Sequence, residues 1–257
     1  MPRPWDVAPT LALLSALLLS PISARASEMG ELDADVPLTV EDAFVVEPGQ
    51  VELQGSTRYD RRKGRDVVRV QPRVEVGLVE GLEAELFFPY SMGSGRRFDE
   101  SGVAAGLLYN LNRERGWLPA FAVGVEIAKP VGPGRRGPEI ELTGIATKTI
   151  HPAVQGRLHL NVSWVHALRS SADERRDRYR VVAGYSRLLS TDVALVLDYV
   201  HQRQEERRGR DVDILEAGIL YRLTETVGVG AGVGFGIGRA SPRFRASASI
   251  RIGFGGS

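Results

Sequence analysis

The chain contains no cysteine and only three lysines among its 257 residues. The absence of cysteine excludes disulfide frameworks, thiolate zinc sites and cysteine nucleophiles. Charge of one sign is not in excess either, because 33 lysine and arginine residues nearly balance 32 acidic residues and leave a net charge of +1. Such a balance provides no field to attract nucleic acid, so we predict no nucleic-acid partner.

Long hydrophobic runs are missing after residue 26, since no later segment reaches about 18 consecutive apolar residues, the length that indicates a membrane helix. Residues 1–26 have the features of a signal peptide: Arg3 in a short polar start, an apolar run at Leu11–Leu19, and Ala24-Arg25-Ala26 as a cleavage pattern. A transmembrane anchor is disfavoured because spanning a bilayer takes about 20 residues. We predict export and cleavage after Ala26.

The segment that follows, residues 27–49, is acidic. It contains seven acidic residues and no basic residue, and it includes the apolar patch Ala43–Val46. Its composition separates it from the rest of the chain. We predict an acidic N-terminal periplasmic segment here, preceding a barrel domain over residues 50–257.

From Gln50 onward, apolar and polar residues alternate in twelve runs separated by Gly, Pro, Asn and Asp. A period of two predicts strands whose successive side chains point to opposite faces. Connections after odd-numbered runs are longer, including RRKGRD after the first, than those after even-numbered runs. Strands of about ten residues, an even number of strands and alternating connection lengths are typical of outer-membrane barrels. We predict an all-β fold, a transmembrane antiparallel β-barrel of twelve strands with both termini in the periplasm.

Aromatic residues support a membrane barrel because they share the apolar, lipid-facing parity and cluster near both strand ends, as interfacial belts do. With the longer connections outside the cell, the outer belt contains Tyr59, Tyr90, Trp164, Tyr179, Tyr199 and Phe244. The inner belt contains Tyr109, Trp117, Tyr185, Tyr221 and Phe254.

The opposite parity carries charged residues, which we predict to line the lumen. The basic candidates are Arg58, Arg69, Arg73, Arg157, Arg180, Arg222, Arg243, Arg245 and Arg251. The acidic candidates are Glu52, Glu75, Glu83, Glu85, Glu126, Glu139, Glu141, Asp198 and Glu216. Two interpretations stay open: cross-strand ion pairs that fill a narrow barrel, or a selectivity surface for a polar solute.

The eleventh run places six glycines on the inward parity, at positions 228, 230, 232, 234, 236 and 238. Their spacing does not match the dinucleotide-binding fingerprint, so we predict no cofactor. Glycines along one wall leave room in the lumen. We hypothesise that the acidic segment partly plugs the barrel, attracted by inward arginines, and that solute passage requires its displacement. A disordered periplasmic tail is the alternative.

Catalytic and metal sites are not predicted. His159 and Ser163 share the inward face of one strand, but at about 3.3 Å per residue they lie roughly 13 Å apart. A serine on a neighbouring strand, such as Ser186, could still approach His159. No histidine pair has metal-ligand spacing with supporting carboxylates.

Three stretches carry a resemblance to a known family: residues 38–60, residues 68–90 with the ending FPY, and residues 106–132 with LPAFAVGVEIAKPVG. They are similar to the outer-membrane transporter-like proteins of the MetA-pathway of phenol degradation family. The resemblance covers residues 39–254 and implies a barrel that takes up hydrophobic or aromatic compounds. It assigns no binding residue.

These observations predict a channel or transporter-like protein for small solutes in the outer membrane of a Gram-negative bacterium. The alternatives are a structural barrel with a filled lumen, a soluble periplasmic lipocalin-like carrier, and a membrane hydrolase. A carrier would turn its apolar parity inward, away from solvent.

Arginine is concentrated in the longer connections, where it would meet outer-membrane lipid and lipopolysaccharide. Guanidinium groups bind phosphate oxygens in a bidentate manner, whereas simple solvation is the alternative explanation. We expect replacement of Arg207, Arg208 and Arg210 with Gln to lower the amount of lipopolysaccharide that co-purifies with the protein. Unchanged lipid content would contradict the expectation.

Overall fold

The computed structural model describes residues 32–33, 35–93, 100–131 and 137–255. Nearly all regular structure in these ranges is β-strand, with one short 3₁₀ turn at Pro152–Val154. None of the helical structure in the described ranges is long and apolar enough to cross a membrane.

In the described ranges thirteen strands follow one another, and every hydrogen-bonded pair of strands is antiparallel. Their bounds are β1 Val51–Arg62, β2 Arg65–Val79, β3 Leu82–Phe87, β4 Tyr90–Gly93, β5 Glu100–Asn112, β6 Ala120–Val131, β7 Glu139–His151, β8 Gly156–Ala167, β9 Asp177–Ser190, β10 Val193–Gln202, β11 Val212–Arg222, β12 Val227–Gly236 and β13 Phe244–Phe254.

The sheet closes on itself because β1 pairs with both β2 and β13. β3 and β4 are two parts of one wall strand, since Phe87 faces Arg73 and Tyr90 faces Val70 of β2 in the same register. Pro89 interrupts this strand because proline has no N–H to donate. The wall therefore has twelve strands, and the predicted twelve-stranded antiparallel barrel is confirmed.

Connection lengths follow the predicted alternation only in part. The connection at 113–119, predicted to be among the shorter ones, spans seven residues, and one predicted long loop is a tight turn. The stretch RRKGRD is not a long loop: β1 and β2 extend through it to a turn of two residues, Lys63 and Gly64, where Gly64 has a positive φ of 78°. Glycine is favoured at such a position, and strand pairing adds hydrogen bonds that a loop would lack. The connections at 168–176 and 203–211 are longer and are hydrogen-bonded to each other.

The outer surface is apolar. Leu142, Leu158, Leu160 and Val162 each expose 46–49% of their surface on the outward parity, whereas their sequence neighbours Thr143 and Asn161 point inward. Leucine and valine in such numbers on a surface require an apolar medium around them. This orientation contradicts the soluble-carrier alternative, in which the apolar parity would face inward.

The closed hydrogen-bonded wall predicts slow unfolding in detergent. We expect the unboiled protein to migrate faster in a dodecyl sulfate gel than the boiled protein, because the intact barrel stays compact. The same sample refolded after boiling into mild detergent should recover the faster band. A single band position before and after boiling would contradict a closed barrel.

Candidate functional site

The lumen contains residues 32, 33 and 35–46, which we call the luminal segment. Leu38 and Val40 are 1% and 2% exposed, and Ala43 is fully buried. The segment reaches β1 through Glu47–Gln50, where the backbone N–H of Gly49 donates to the carbonyl of Gly77. The part of the acidic sequence that the structure describes therefore runs inside the barrel wall.

Backbone groups of the luminal segment are hydrogen-bonded to side chains of the wall. The N–H groups of Thr39 and Val40 both donate to Asp198 Oδ2 on β10, at 3.0 and 2.9 Å. The Thr39 hydroxyl donates to Glu216 Oε2 on β11 at 2.7 Å. Asn161 on β8 accepts from the Glu41 N–H and donates back to the Glu41 carbonyl. These contacts hold the middle of the segment against β8, β10 and β11.

The same pattern continues toward the end of the barrel where β7 ends and β3 begins. Thr147 on β7 accepts the Ala43 N–H at 3.0 Å, and the Asn110 amide on β5 donates to the Ala43 carbonyl. Glu83 on β3 accepts the Val46 N–H at 2.7 Å. Between residues 39 and 46, the segment thus follows the inner wall from β11 to β3.

Ion pairs hold the N-terminal part of the segment. Arg58 on β1 lies 2.6 Å from Asp35, and Arg251 on β13 lies 3.0 Å from Asp33. Both arginines belong to the predicted lumen set, and the two aspartates belong to the acidic sequence. These two ion pairs are therefore contacts of the kind that the acidic composition of the segment predicted.

The glycines of β12 make room for the segment. A Cβ on Gly232 would lie 2.5 Å from Leu38 Cδ2, and a Cβ on Gly230 would lie 3.0 Å from Pro37 Cβ. Real Cβ atoms essentially never lie closer than 3.0 Å to another atom, so a larger residue at position 232 would require the Leu38 side chain to move. A Cβ on Gly184 of β9 would likewise lie too close to the Val40 side chain. Gly228 has no comparable neighbour, whereas Gly234 and Gly236 approach β11 and the 237–243 connection.

The predicted lumen residues lie inside the barrel or at its two mouths. The buried ones are Glu52, Arg73, Glu75, Glu83, Asp198, Glu216, Arg245 and Arg251. Half-buried ones are Arg58, Glu85, Glu126, Glu139, Glu141, Arg157, Arg180 and Arg222. Arg69 and Arg243, near the long-loop end, are exposed. A role of these residues in solute passage remains a prediction.

Several contacts of the segment are made by uncharged residues that the charge pattern did not indicate as partners. Thr147, Asn110 and Gln54 lie on the inward parity and were not among the lumen candidates. Gln54 Nε2 lies 2.8 Å from Asp33 Oδ2 and 2.5 Å from Glu75 Oε2. Their inward position follows from the period of two, but nothing in a single sequence shows which backbone group each one meets.

His159 and Ser186 do approach each other across β8 and β9. The His159 Nε2 lies 2.9 Å from the Ser186 hydroxyl, and Nδ1 lies 3.2 Å from the hydroxyl of Thr147. A hydrolase requires a nucleophile that substrate can reach and a group that orients the base. Here Ser186 is 2% exposed and the orienting position holds a threonine that also binds Ala43. The arrangement joins the wall to the luminal segment rather than exposing a nucleophile.

The turn at 113–119 is fixed beside this region. Glu114 accepts hydrogen bonds from the N–H and the hydroxyl of Thr149 and pairs with Lys148. Partial burial opposes its charged form, but the hydrogen bonds from Lys148 and Thr149 hold the pKa of Glu114 below its usual range. The turn is therefore anchored to the end of β7 that also carries Thr147.

We expect Asp198→Ala to loosen the luminal segment. The N–H groups of Thr39 and Val40 would lose their acceptor, at a cost of about 1–3 kcal/mol for each buried group left unsatisfied. Amide hydrogen exchange at residues 39 and 40 should become faster. Asp192→Ala, in the exposed turn between β9 and β10, is the matched control and should leave both rates unchanged. Equal exchange in both variants would contradict the assignment of Asp198 as an anchor.

Comparison with known proteins gives structural relatives only. No family model and no curated protein matches the chain, so the resemblance to the phenol-degradation family is not confirmed. An outer membrane channel from Pseudomonas putida F1 is similar over 87% of this chain and 100% of its own, with 13% identity and a TM-score of 0.64. The NanC porin (9% identity, 79% and 98% coverage, TM-score 0.58) and the KdgM porin in complex with disordered oligogalacturonate (6%, 79% and 98%, 0.57) are also similar. At these identities the likeness shows the fold, which is that of outer-membrane channel and porin barrels.

Proposed function

We propose that this protein is an outer-membrane channel for small solutes, and that passage requires displacement of the luminal segment. The observation that supports the proposal most directly is how the segment is bound. Among the described residues, no backbone-to-backbone hydrogen bond joins residues 32–46 to a wall strand. The segment can therefore leave without opening the ladder that keeps the barrel closed.

The barrel wall and the luminal segment are held in place by interactions of different total strength. The wall strands are held by continuous pairing over ten or more residues for most neighbours, as between β8 and β9. The luminal segment is held by separate contacts, each worth about 0.5–1.5 kcal/mol for a neutral hydrogen bond and about 1.5–3 kcal/mol when a charged group takes part. Displacement of the segment alone is thus the less costly change.

The proposal includes hydrophobic or aromatic compounds as the class of solutes that passes, which is the class that the resemblance implies. Its support is a set of apolar side chains on the inward parity of β9–β11. Val182, Val196 and Ile214 are at most 1% exposed and cluster with Leu38 and Val40 of the luminal segment. Displacement of the segment would uncover this apolar wall inside an otherwise polar lumen.

A structural barrel with a permanently filled lumen is the second candidate. The observation that favours it is the near-complete burial of Leu38, Val40 and Ala43 between segment and wall. The two candidates differ in one measurable property, because only a channel conducts when the segment is free to move.

Outer-membrane location, a cleaved signal peptide and lipopolysaccharide contact belong to the same proposal. Arg207, Arg208 and Arg210 are exposed in the 203–211 connection. The Arg207 Nε also donates to the Glu174 carbonyl in the neighbouring connection. Arg208 and Arg210 therefore offer the more direct test of lipid binding, because loss of Arg207 also removes a contact between connections.

The proposal is tested by locking the luminal segment reversibly. Val40 Cβ lies 3.1 Å from the position of a Cβ on Gly184, close to the roughly 3.5–4.5 Å that separates Cβ atoms in a disulfide. We expect the double variant Val40→Cys with Gly184→Cys to show no current in planar bilayers when oxidised. Reduction should restore the openings of the unmodified protein, since the chain has no other cysteine.

Each single cysteine variant is the control and should be insensitive to oxidant and reductant. Equal currents from the oxidised and reduced double variant would contradict a segment that must move. Absence of current from every form would favour the structural barrel.

A further inference from the structure

Five glutamates form a row across the inner wall. Cross-strand partners in the sheet pair Glu52 with Glu75, Glu75 with Glu85, Glu85 with Gly106, Gly106 with Glu126, and Glu126 with Glu141. The row therefore crosses β1, β2, β3, β5, β6 and β7 along the hydrogen-bonding direction, with a glycine as its one interruption. Because barrel strands are tilted, it runs from the second residue of β1, at the short-turn end, to the third residue of β7, at the opposite end. We call Glu52, Glu75, Glu85, Glu126 and Glu141 the glutamate row.

Like charges directly opposite on neighbouring strands destabilise a sheet, so the row needs positive charge nearby. Three arginines supply part of it. Arg73 lies 2.9 Å from Glu75 and 3.7 Å from Glu85, and Arg180 lies 2.6 Å from Glu141. Arg251 lies 3.8 Å from Glu52 but also binds Asp33. Among the described residues, the ion pairs of these five carboxylates thus involve three guanidinium groups.

Glu126 is the member with the least compensation. Among the described residues, no ion pair joins it to an arginine or lysine, although Glu141 is its direct cross-strand partner. A cavity of about 60 Å³ lies beside it, lined by Glu41, Glu85 and Glu141 as well as by Arg73 and Arg180. The negative charge of the row therefore faces free space in the lumen, where a mobile cation can approach it.

A buried amide at the β1 end of the row is an independent sign that its carboxylates lack positive charge or donors. Gln54 is 5% exposed, and its Nε2 lies within 3.4 Å of oxygens from Asp33, Glu52 and Glu75, while its Oε1 has no hydrogen-bond partner among the residues that the structure describes. Two amide hydrogens cannot serve three carboxylates well. With the amide rotated, Oε1 and the three carboxylate oxygens would together present an all-oxygen set to a cation.

We propose that the glutamate row makes this channel selective for small cations, which contact the Glu126 and Glu141 carboxylates as they pass. The inference rests on the proposed channel function and adds to it the charge of the solutes that pass. Rows or rings of carboxylates select cations in channels because their field replaces part of the hydration of the ion. The low dielectric of the wall strengthens that field relative to bulk water.

The count of inward charges does not show this preference, because nine basic and nine acidic candidates balance. Their positions separate them. Arg58, Arg69, Arg243 and Arg245 lie toward the long-loop end, and Arg157 and Arg222 lie toward the periplasmic end. The three that remain, Arg73, Arg180 and Arg251, are the ones that pair with members of the glutamate row.

The test is the reversal potential of the full-length protein in planar bilayers under a potassium chloride gradient. We expect potassium to be preferred over chloride by at least about threefold, as carboxylate-lined pores prefer cations. Glu126→Gln should reduce the preference, and Glu126→Arg should reduce it further or reverse it. Glu80→Gln and Glu80→Arg are matched controls, because Glu80 lies in the exposed β2–β3 turn and its substitution changes net charge equally.

Outcomes separate the inference from the function on which it rests. Conductance without cation preference, or an identical permeability ratio in the Glu126 and Glu80 series, would overturn the inference alone. Absence of current in all forms would overturn the channel function and the inference together. Faster gel migration before boiling than after it verifies that each variant forms a barrel.

Discussion

Backbone hydrogen bonding inside a closed barrel is the constraint on which the lumen depends. Each wall strand uses its backbone groups on its two neighbours, so a chain segment in the lumen finds only side chains as partners. Asp198, Asn161, Thr147 and Glu83 supply the acceptors here. Their arrangement on four different strands gives the luminal segment its path along the wall.

The side chains of the segment follow from the same constraint. Where its backbone is held by polar wall residues, its own apolar side chains turn to the remaining wall surface. Leu38 meets glycines of β12 and Val40 meets Gly184, so small residues on the wall match large ones on the segment. Burial of such side chains contributes about 1.5–3 kcal/mol each, comparable to the hydrogen bonds. Polar and apolar contacts therefore act together to hold one position.

Much of the fold could be predicted from the sequence because a barrel wall repeats with a period of two. Strand number, inward and outward faces, and the long strand at Phe244–Phe254 follow from that period. The stretch around Lys63 was wrongly predicted to be a long loop because its arginines and glycine are typical of loops. Two residues suffice to turn the hairpin there.

The site was less predictable for a physical reason. Parity shows that Glu85 and Glu126 face inward, but register decides which strands' residues lie at one level, and register depends on turn geometry along the whole wall. The roles of Asp198 and Glu83 as backbone acceptors depend on where a distant segment lies. Composition indicated attraction between acidic segment and arginines, and Arg58 with Asp35 is an instance of it. It did not indicate the hydrogen bonds of Thr147 or Asn110.

The connection between the luminal segment and β1 has a consequence for displacement of the segment. β1 is the strand that closes the barrel by pairing with β13, the last strand in the described residues. The segment is continuous with β1 through Gly49 and Gln50, and Glu47 passes so close to Gly77 that a side chain there would have no room. The strand that closes the barrel, by pairing with β13, is therefore also the strand to which the luminal segment is joined. Because this tether is covalent, a displaced segment stays attached at the mouth of the barrel where β1 begins.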